Sequence, residues 1–367
     1  MDGEALKKTG YIYVVNKLYL IFLVWLTRDV LGSLLPASLE DRHPNVLLNS
    51  MIHWDAGWFL RIASQGYDFN HAPFFPMLPF LIRAFTYLTG NEVVAGFLVT
   101  NVSLFIACYF LFRLVDEHYG KEIAGLTVFI LLFFPTAVFF NSIYSESVLL
   151  AFVLSAFYFA RRSRWGLAVF LGACAALTRN TGVVLFFAFL YMHYKENGNR
   201  FNIKKSWVLL FIPASLSIFM AVLWSQTGDP LAFAHSLNTE YWGYRHFKYP
   251  GAGQFLCLSL FFENSDFYCL FESGMAILFI LVIFLSFKYV KDRALLIFLV
   301  IGFLIPFSSV VDNLPLGMPR YILVLFPGYI ALARWLTKNG LVHIYSIITV
   351  IVYSVICVTF VIGRWIS

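Results

Sequence analysis

Apolar runs of about twenty residues recur along the whole chain, and a helix of that length crosses a hydrocarbon core. Lipid offers no hydrogen bonds, so a chain with many such runs must bond its peptide groups within helices. With 60% hydrophobic and 13% charged residues, against about 25% charged in soluble domains, the sequence predicts an all-α, polytopic integral membrane protein. No polar stretch is long enough for a separate soluble domain, so residues 1–367 read as a single transmembrane domain.

Spans read at 11–35, 92–112, 122–141, 143–160, 165–178, 181–194, 206–225, 271–288, 294–311, 320–335 and 341–362, about eleven crossings. The segments 165–178 and 181–194 are short, and a re-entrant hairpin there fits equally well and flips no other loop. The net charge of +6 comes from basic residues scattered between spans, which argues against nucleic acid as a partner. Seventeen of the 26 basic residues, Lys7, Lys8, Lys17, Arg161 and Lys204 among them, fall on one side, and nine, including Arg28, Arg42, Arg61, Arg83, Arg179, Arg245 and Arg320, on the other. That asymmetry predicts a cytoplasmic N-terminus and an external C-terminus. Lys7 and Lys8 precede an apolar run with no small-x-small cleavage site, so the first span reads as retained.

Two outer segments, about 36–91 and 226–270, are longer than connectors need to be. Both are rich in Trp, Tyr, Phe, His and Pro, which favours order at a membrane interface. In the first, Trp54, Trp58, Phe59, Ile62 and Ala63 recur at helical spacing, predicting an amphipathic helix on the bilayer surface. Pro76 and Pro79 mark entry into a second short helix, Met77 to Leu88. Cys108, Cys174 and Cys357 read as packing residues in spans. Cys257 and Cys269 share an outer loop and either pair in an oxidising compartment or stay free.

Asp55 heads the candidate catalytic residues because it stands at the start of that amphipathic helix, close to His53, Trp54, Trp58 and Arg61. A first-turn Asp stabilises any helix start by about 1 kcal/mol, so the carboxylate alone decides nothing. An imidazole and a guanidinium within a turn and a half are more than a cap requires. Glu146, one turn into a predicted span, marks a functional site by the cost of placing an ionisable group there, or is a structural partner for Arg179. Arg179 and Arg320 lie at outer span ends, where snorkelling or capping would also place them. His71 shares the first outer segment, and Tyr241, Trp242, Tyr244, Arg245 and His246 form an aromatic cluster in the second.

The order of these pieces resembles one family. His53-Trp54-Asp55 through Gly66-Tyr67, then Ala72-Pro73-Phe74-Phe75-Pro76-Met77-Leu78-Pro79, is similar to the first outer loop of the PIG-V family, the GPI mannosyltransferase 2 type enzymes and their prokaryotic relatives. Asn141-Ser142-Ile143-Tyr144-Ser145-Glu146-Ser147, Leu177-Thr178-Arg179-Asn180-Thr181-Gly182 and Pro319-Arg320-Tyr321 with Pro327 fit the same family. The chain departs from that pattern at Ala72-Pro73 and at His71, near the usual acidic position, which bears on the acceptor more than on the chemistry.

The resemblance implies a GT-C glycosyltransferase with a polyprenyl-phosphate-linked sugar as donor, a glycolipid or glycoprotein acceptor, and a catalytic Asp in the first outer loop, here Asp55. An inverting transfer needs a base on the acceptor hydroxyl, while the ionised lipid phosphate needs only positive charge as it leaves. Arg179 and Arg320 are the candidates, since guanidinium grips phosphate oxygens bidentately. His53, Trp54, Arg61, His71 and Glu146 complete the candidate substrate-binding set. No Asp-x-Asp pair or clustered His is present, so the sequence requires neither metal nor cofactor. The rival reading, a transporter or lipid flippase, would place its site at the midplane between symmetric halves, whereas polar density here sits at one surface. The expected location is a prokaryotic plasma membrane, or else the endoplasmic reticulum membrane, with the site on the non-cytoplasmic face.

Overall fold

A computed structural model describes residues 3–30, 32 and 43–366. Arg42 and the beginning of the first outer segment at 36–41 therefore lie outside the described residues. Among the described residues the fold is all-α, with two antiparallel strands of two residues each, His246–Phe247 and Ser309–Val310. Among the described residues, Gly3–Asp29, Glu92–Leu132, Ile203–Thr227, Phe267–Tyr289 and Val342–Val361 are long and apolar enough to cross a membrane. Met77–Thr89, Ser145–Ala160, Trp165–Ala176 and Arg293–Phe307 are shorter apolar helices.

Where span limits shift, the backbone gives the reason. Glu92–Leu132 runs through the two spans predicted at 92–112 and 122–141, but Gly120 breaks it with φ 82° and ψ 166°, a conformation open to glycine alone. The predicted span 320–335 divides into the short helix Met318–Tyr321, a 3-10 turn Ile322–Val324 and the helix Phe326–Lys338. Pro327 fits the first turn of that last helix, where no N–H is needed. The short pair at 165–194 becomes Trp165–Ala176, a 3-10 turn Asn180–Val184 and Leu185–Glu196. Each of those two helices has 12 residues, a rise of about 18 Å against a core of about 30 Å.

The described chain groups into two compact units. The first contains Met1–Ser64, Leu78–Ala151 and Leu332–Ile366. In it Gly3–Asp29 packs on Glu92–Leu132 and Val342–Val361, and side chains satisfy main-chain groups where helices end. Asn16 Nδ2 donates to the Leu132 carbonyl at 2.9 Å and Thr349 Oγ1 to that of Phe133 at 2.8 Å. Lys17, which sequence position assigns to an inner loop, sits instead inside Gly3–Asp29. Its ammonium donates to Asn141 Oδ1 and stands 4.9 Å from the centre of the Tyr13 ring. An ammonium in an apolar helix needs such partners, and its removal from the charge tally leaves the asymmetry standing.

The second unit contains Gln65–Met77 and Phe152–Ala331. Its core includes Phe157, whose ring centre lies 5.4, 5.7 and 5.8 Å from those of Phe189, Phe298 and Phe326. Arg161 pairs with Asp292 at 2.7 Å, and Asp292 also caps Arg293–Phe307 by accepting from Ala294 N. The helix Ala252–Asn264 gives the second outer segment its order, and the Cys257–Cys269 disulfide joins it to Phe267–Tyr289.

Gly182 lies where a Cβ would overlap the backbone of Ala175 and Ala176, whereas Gly125 has open space around it. Gly182→Ala is therefore expected to destabilise the fold by about 1–3 kcal/mol through overpacking. Gly125→Ala, in a helix interior, should be neutral or stabilising by up to about 1 kcal/mol. Thermal unfolding of the two purified variants in detergent checks the contrast, and equal melting temperatures would refute it.

Candidate functional site

In the first unit the chain reaches Asp55 through a segment whose carbonyls are held from outside. Ser142 Oγ donates to the Met51 carbonyl and Tyr144 Oη to the His53 carbonyl at 3.1 Å. Both donors belong to the Asn141-to-Ser147 stretch, so that motif serves as a cradle for the residues before Asp55. Trp54 then takes φ 46°, a left-handed conformation that strains a bulky residue. Its ring is packed by His53 at 5.3 Å, Phe360 at 5.3 Å and Trp365 at 5.1 Å between centres. Trp54 thus precedes the amphipathic helix rather than contributing to its face.

The helix Asp55–Gln65 buries Ala56, Phe59, Leu60, Ile62 and Ala63, the one-sided pattern that 3.6-residue periodicity predicts. Asp55 is half-buried and opens this helix on the side of the buried stripe. Arg61, six residues on, is exposed and lies roughly 120° around the helix from Asp55. The structure therefore brings His53 and Trp54 to the approach of Asp55 but turns Arg61 to another face. Arg83 closes the helix's far end by donating to the carbonyls of Ala63 at 2.7 Å and Ser64 at 3.0 Å, which otherwise lack intrahelical donors. Glu146 is buried in the first turn of Ser145–Ala160, two residues past Tyr144.

In the second unit three guanidiniums gather about one phenol. Arg245 Nη2 donates to Tyr321 Oη at 2.9 Å and its Nε to Ser309 Oγ at 2.8 Å. The Arg179 guanidinium carbon stands 4.7 Å from the centre of the Tyr321 ring, within cation–π range. Arg320 is the adjacent residue. Local structure puts each in place: Arg179 is an extended residue before the Asn180–Val184 turn, Arg245 precedes the strand His246–Phe247, and Tyr321 ends the short helix Met318–Tyr321. Arg245, Arg179 and Arg320 thus concentrate positive charge about this phenol. Such a cluster of fixed positive charge is suited to an anion with several oxygens.

His71 also belongs to the second unit, at the end of the 3-10 turn Phe69–His71. Asp68 Oδ1 accepts from its backbone N–H and bonds its ring Nδ1. Trp242 Nε1 donates to the Asn70 carbonyl at 2.8 Å and its ring lies 5.8 Å from Phe74, while Tyr67 N–H donates to Gln226 Oε1 at 2.6 Å. Of the aromatic cluster, Trp242 and Arg245 are engaged in this way, whereas Tyr241, Tyr244 and His246 are exposed.

Sequence reasoning passed over Asp68, Tyr321 and Glu272 as site residues. Glu272 is wholly buried near the start of Phe267–Tyr289, and an acid inside an apolar run was the available signal. Asp68 was signalled by an Asp three residues before a His, a capping spacing. Among the described residues no group of three or more His, Cys, Asp or Glu is arranged to hold a metal ion.

Comparison with known proteins agrees with this architecture. The family model described as dolichyl-phosphate-mannose-protein mannosyltransferase matches residues 70–224. A GPI mannosyltransferase 2 from Schizosaccharomyces pombe is 29% identical over 143 residues, which cover 37% of this chain and 31% of that protein. The chain thus matches about a third of that curated relative's length. Among solved structures, ArnT from Cupriavidus metallidurans bound to undecaprenyl phosphate superposes with a TM-score of 0.54 at 15% identity, over 97% of this chain and 78% of ArnT. The fold is thus similar to that of ArnT, and part of the sequence is similar to the mannosyltransferase family and to GPI mannosyltransferase 2.

Proposed function

We propose that this chain is a membrane glycosyltransferase that moves a sugar, mannose by the kinship of its relatives, from a polyprenyl phosphate to a lipid- or protein-linked acceptor. The observation that carries the proposal is the setting of Asp55: a half-buried carboxylate at a helix start, on a backbone held at the carbonyls of Met51 and His53. Asp55 acts as general base. It takes the proton of the acceptor hydroxyl as that oxygen bonds to the anomeric carbon, and the bond from that carbon to the phosphate oxygen breaks with its electron pair.

The leaving phosphate gains negative charge in this step and needs no acid. Arg179, Arg245 and Arg320 about Tyr321 supply fixed positive charge, which stabilises developing charge without reorganisation. His53 and Trp54 hold the approach to Asp55, and His71, set by Asp68, and Glu146 are proposed to contact the sugar or acceptor. Arg61, on the exposed face, is proposed to meet lipid headgroups. Undecaprenyl phosphate in ArnT supports a polyprenyl-phosphate carrier. The Cys257–Cys269 disulfide favours an oxidising compartment, which agrees with the charge asymmetry in assigning the second outer segment to the non-cytoplasmic face.

Purified protein incubated with polyprenyl-phosphate mannose, and separately with glucose and arabinose analogues, should release the carrier phosphate and label an acceptor, read by mass analysis. Asp55→Asn is expected to lower transfer by about 10²–10⁴-fold while polyprenyl-phosphate binding stays unchanged. Full transfer by a folded Asp55→Asn protein would remove the central assignment.

A further inference from the structure

We infer that Glu272 is a positioning residue that sets the affinity of the arginine–tyrosine cluster for the donor's phosphate, held in register by the Cys257–Cys269 bridge. This inference rests on the phosphate-binding role proposed above for Arg179, Arg245, Arg320 and Tyr321. The Glu272 side chain is fully enclosed, yet it accepts three hydrogen bonds: from Gly317 N–H at 3.0 Å, from Met318 N–H at 3.0 Å and from Tyr268 Oη at 3.1 Å. Gly317 and Met318 open the short helix whose third and fourth residues are Arg320 and Tyr321. Gly317 takes φ 80° and has no side chain to cap that turn, so a carboxylate from a distant helix supplies the acceptors that an N-cap side chain ordinarily would.

The position of Glu272 is fixed in turn. Cys269, three residues before it and so one helical turn away, is bonded to Cys257, and Ser273 Oγ, next to it, donates to the Gln254 carbonyl at 3.1 Å. The two ties join Phe267–Tyr289 to Ala252–Asn264 around the point where the carboxylate leaves the helix. A shift of the 317–318 backbone would carry Tyr321 with it, and Tyr321 is what Arg245 bonds and Arg179 covers. A buried carboxylate is a costly way to cap one turn. It becomes intelligible where its geometry sets the position of a binding group.

Glu272→Gln retains one acceptor oxygen but turns an amide donor toward a group that itself donates. In this variant the KM for polyprenyl-phosphate sugar and the Kd for polyprenyl phosphate are expected to rise roughly tenfold, equivalent to about 1.4 kcal/mol, with kcat within about twofold and the melting temperature unchanged. Glu272→Asp, which keeps the charge on a shorter arm, should fall between. A purely structural role would lower kcat and melting temperature together and leave the Kd of the folded fraction unaltered, which overturns the inference. Should Glu272→Gln fail to fold, Cys257→Ala/Cys269→Ala, with the carboxylate in place, decides: a raised Kd supports the inference and an unchanged one refutes it. A wild type that binds no polyprenyl phosphate refutes the donor reading and this inference with it. Wild-type binding matched by a folded Glu272→Gln refutes this inference alone.

Discussion

A backbone that leaves the helix must find other partners for its buried peptide groups, and the candidate functional segments of this chain are broken backbone. Each therefore needs a second segment that supplies its missing partners. In the first unit the carbonyls of Met51 and His53 are met by Ser142 and Tyr144. In the second, the amides of Gly317 and Met318 are met by Glu272, the residues at 246–247 pair with 309–310, and the Tyr67 amide is met by Gln226. A main-chain group buried without a partner is costly, so these pairings stabilise irregular chain between the helices. They also hold each segment in place within its own unit, because a segment held by long-range partners has little freedom to drift.

That dependence explains which features were legible in the sequence. Helix positions were, because an apolar run identifies itself without knowledge of its partners, and the helix from Asp55 was, because a stripe of Phe59, Ile62 and Ala63 has a period of its own. Helix breaks were read less well. Gly120 and Pro327 carried local signals, yet the end of the helix at Leu132 and the 3-10 turns around it depend on side chains such as Asn16, more than a hundred residues away. Lys17 was misplaced because counting by loop ignores a cation that finds Asn141 and Tyr13 inside the protein.

The candidate site divides in the same way. Asp55, Arg179 and Arg320 stood out by type and position. Tyr321 was quoted only as part of a motif, since a Tyr at a membrane interface is ordinary until Arg245 and Arg179 are seen around it. Glu272 acquires meaning only through Gly317 and Met318, 45 and 46 residues on. The cysteines had the right spacing for either outcome, and it was the pairing of two helices that brought Cys257 and Cys269 together with Cα atoms 4.8 Å apart.

Trp54 shows why strain and function coincide at the catalytic candidate. Its φ of 46° would suit glycine without penalty, while a bulky side chain there costs on the order of 1–3 kcal/mol. Glycine, however, would leave the peptide before Asp55 free to rotate. The indole is packed by Phe360, Trp365 and His53, and that packing offsets the backbone cost. The ring thus acts as an anchor for the dihedral that aims the next residue. A carboxylate proposed to remove a proton from an approaching hydroxyl gains from arriving already oriented, and an aromatic residue packed in a glycine conformation fixes the backbone from which that side chain departs.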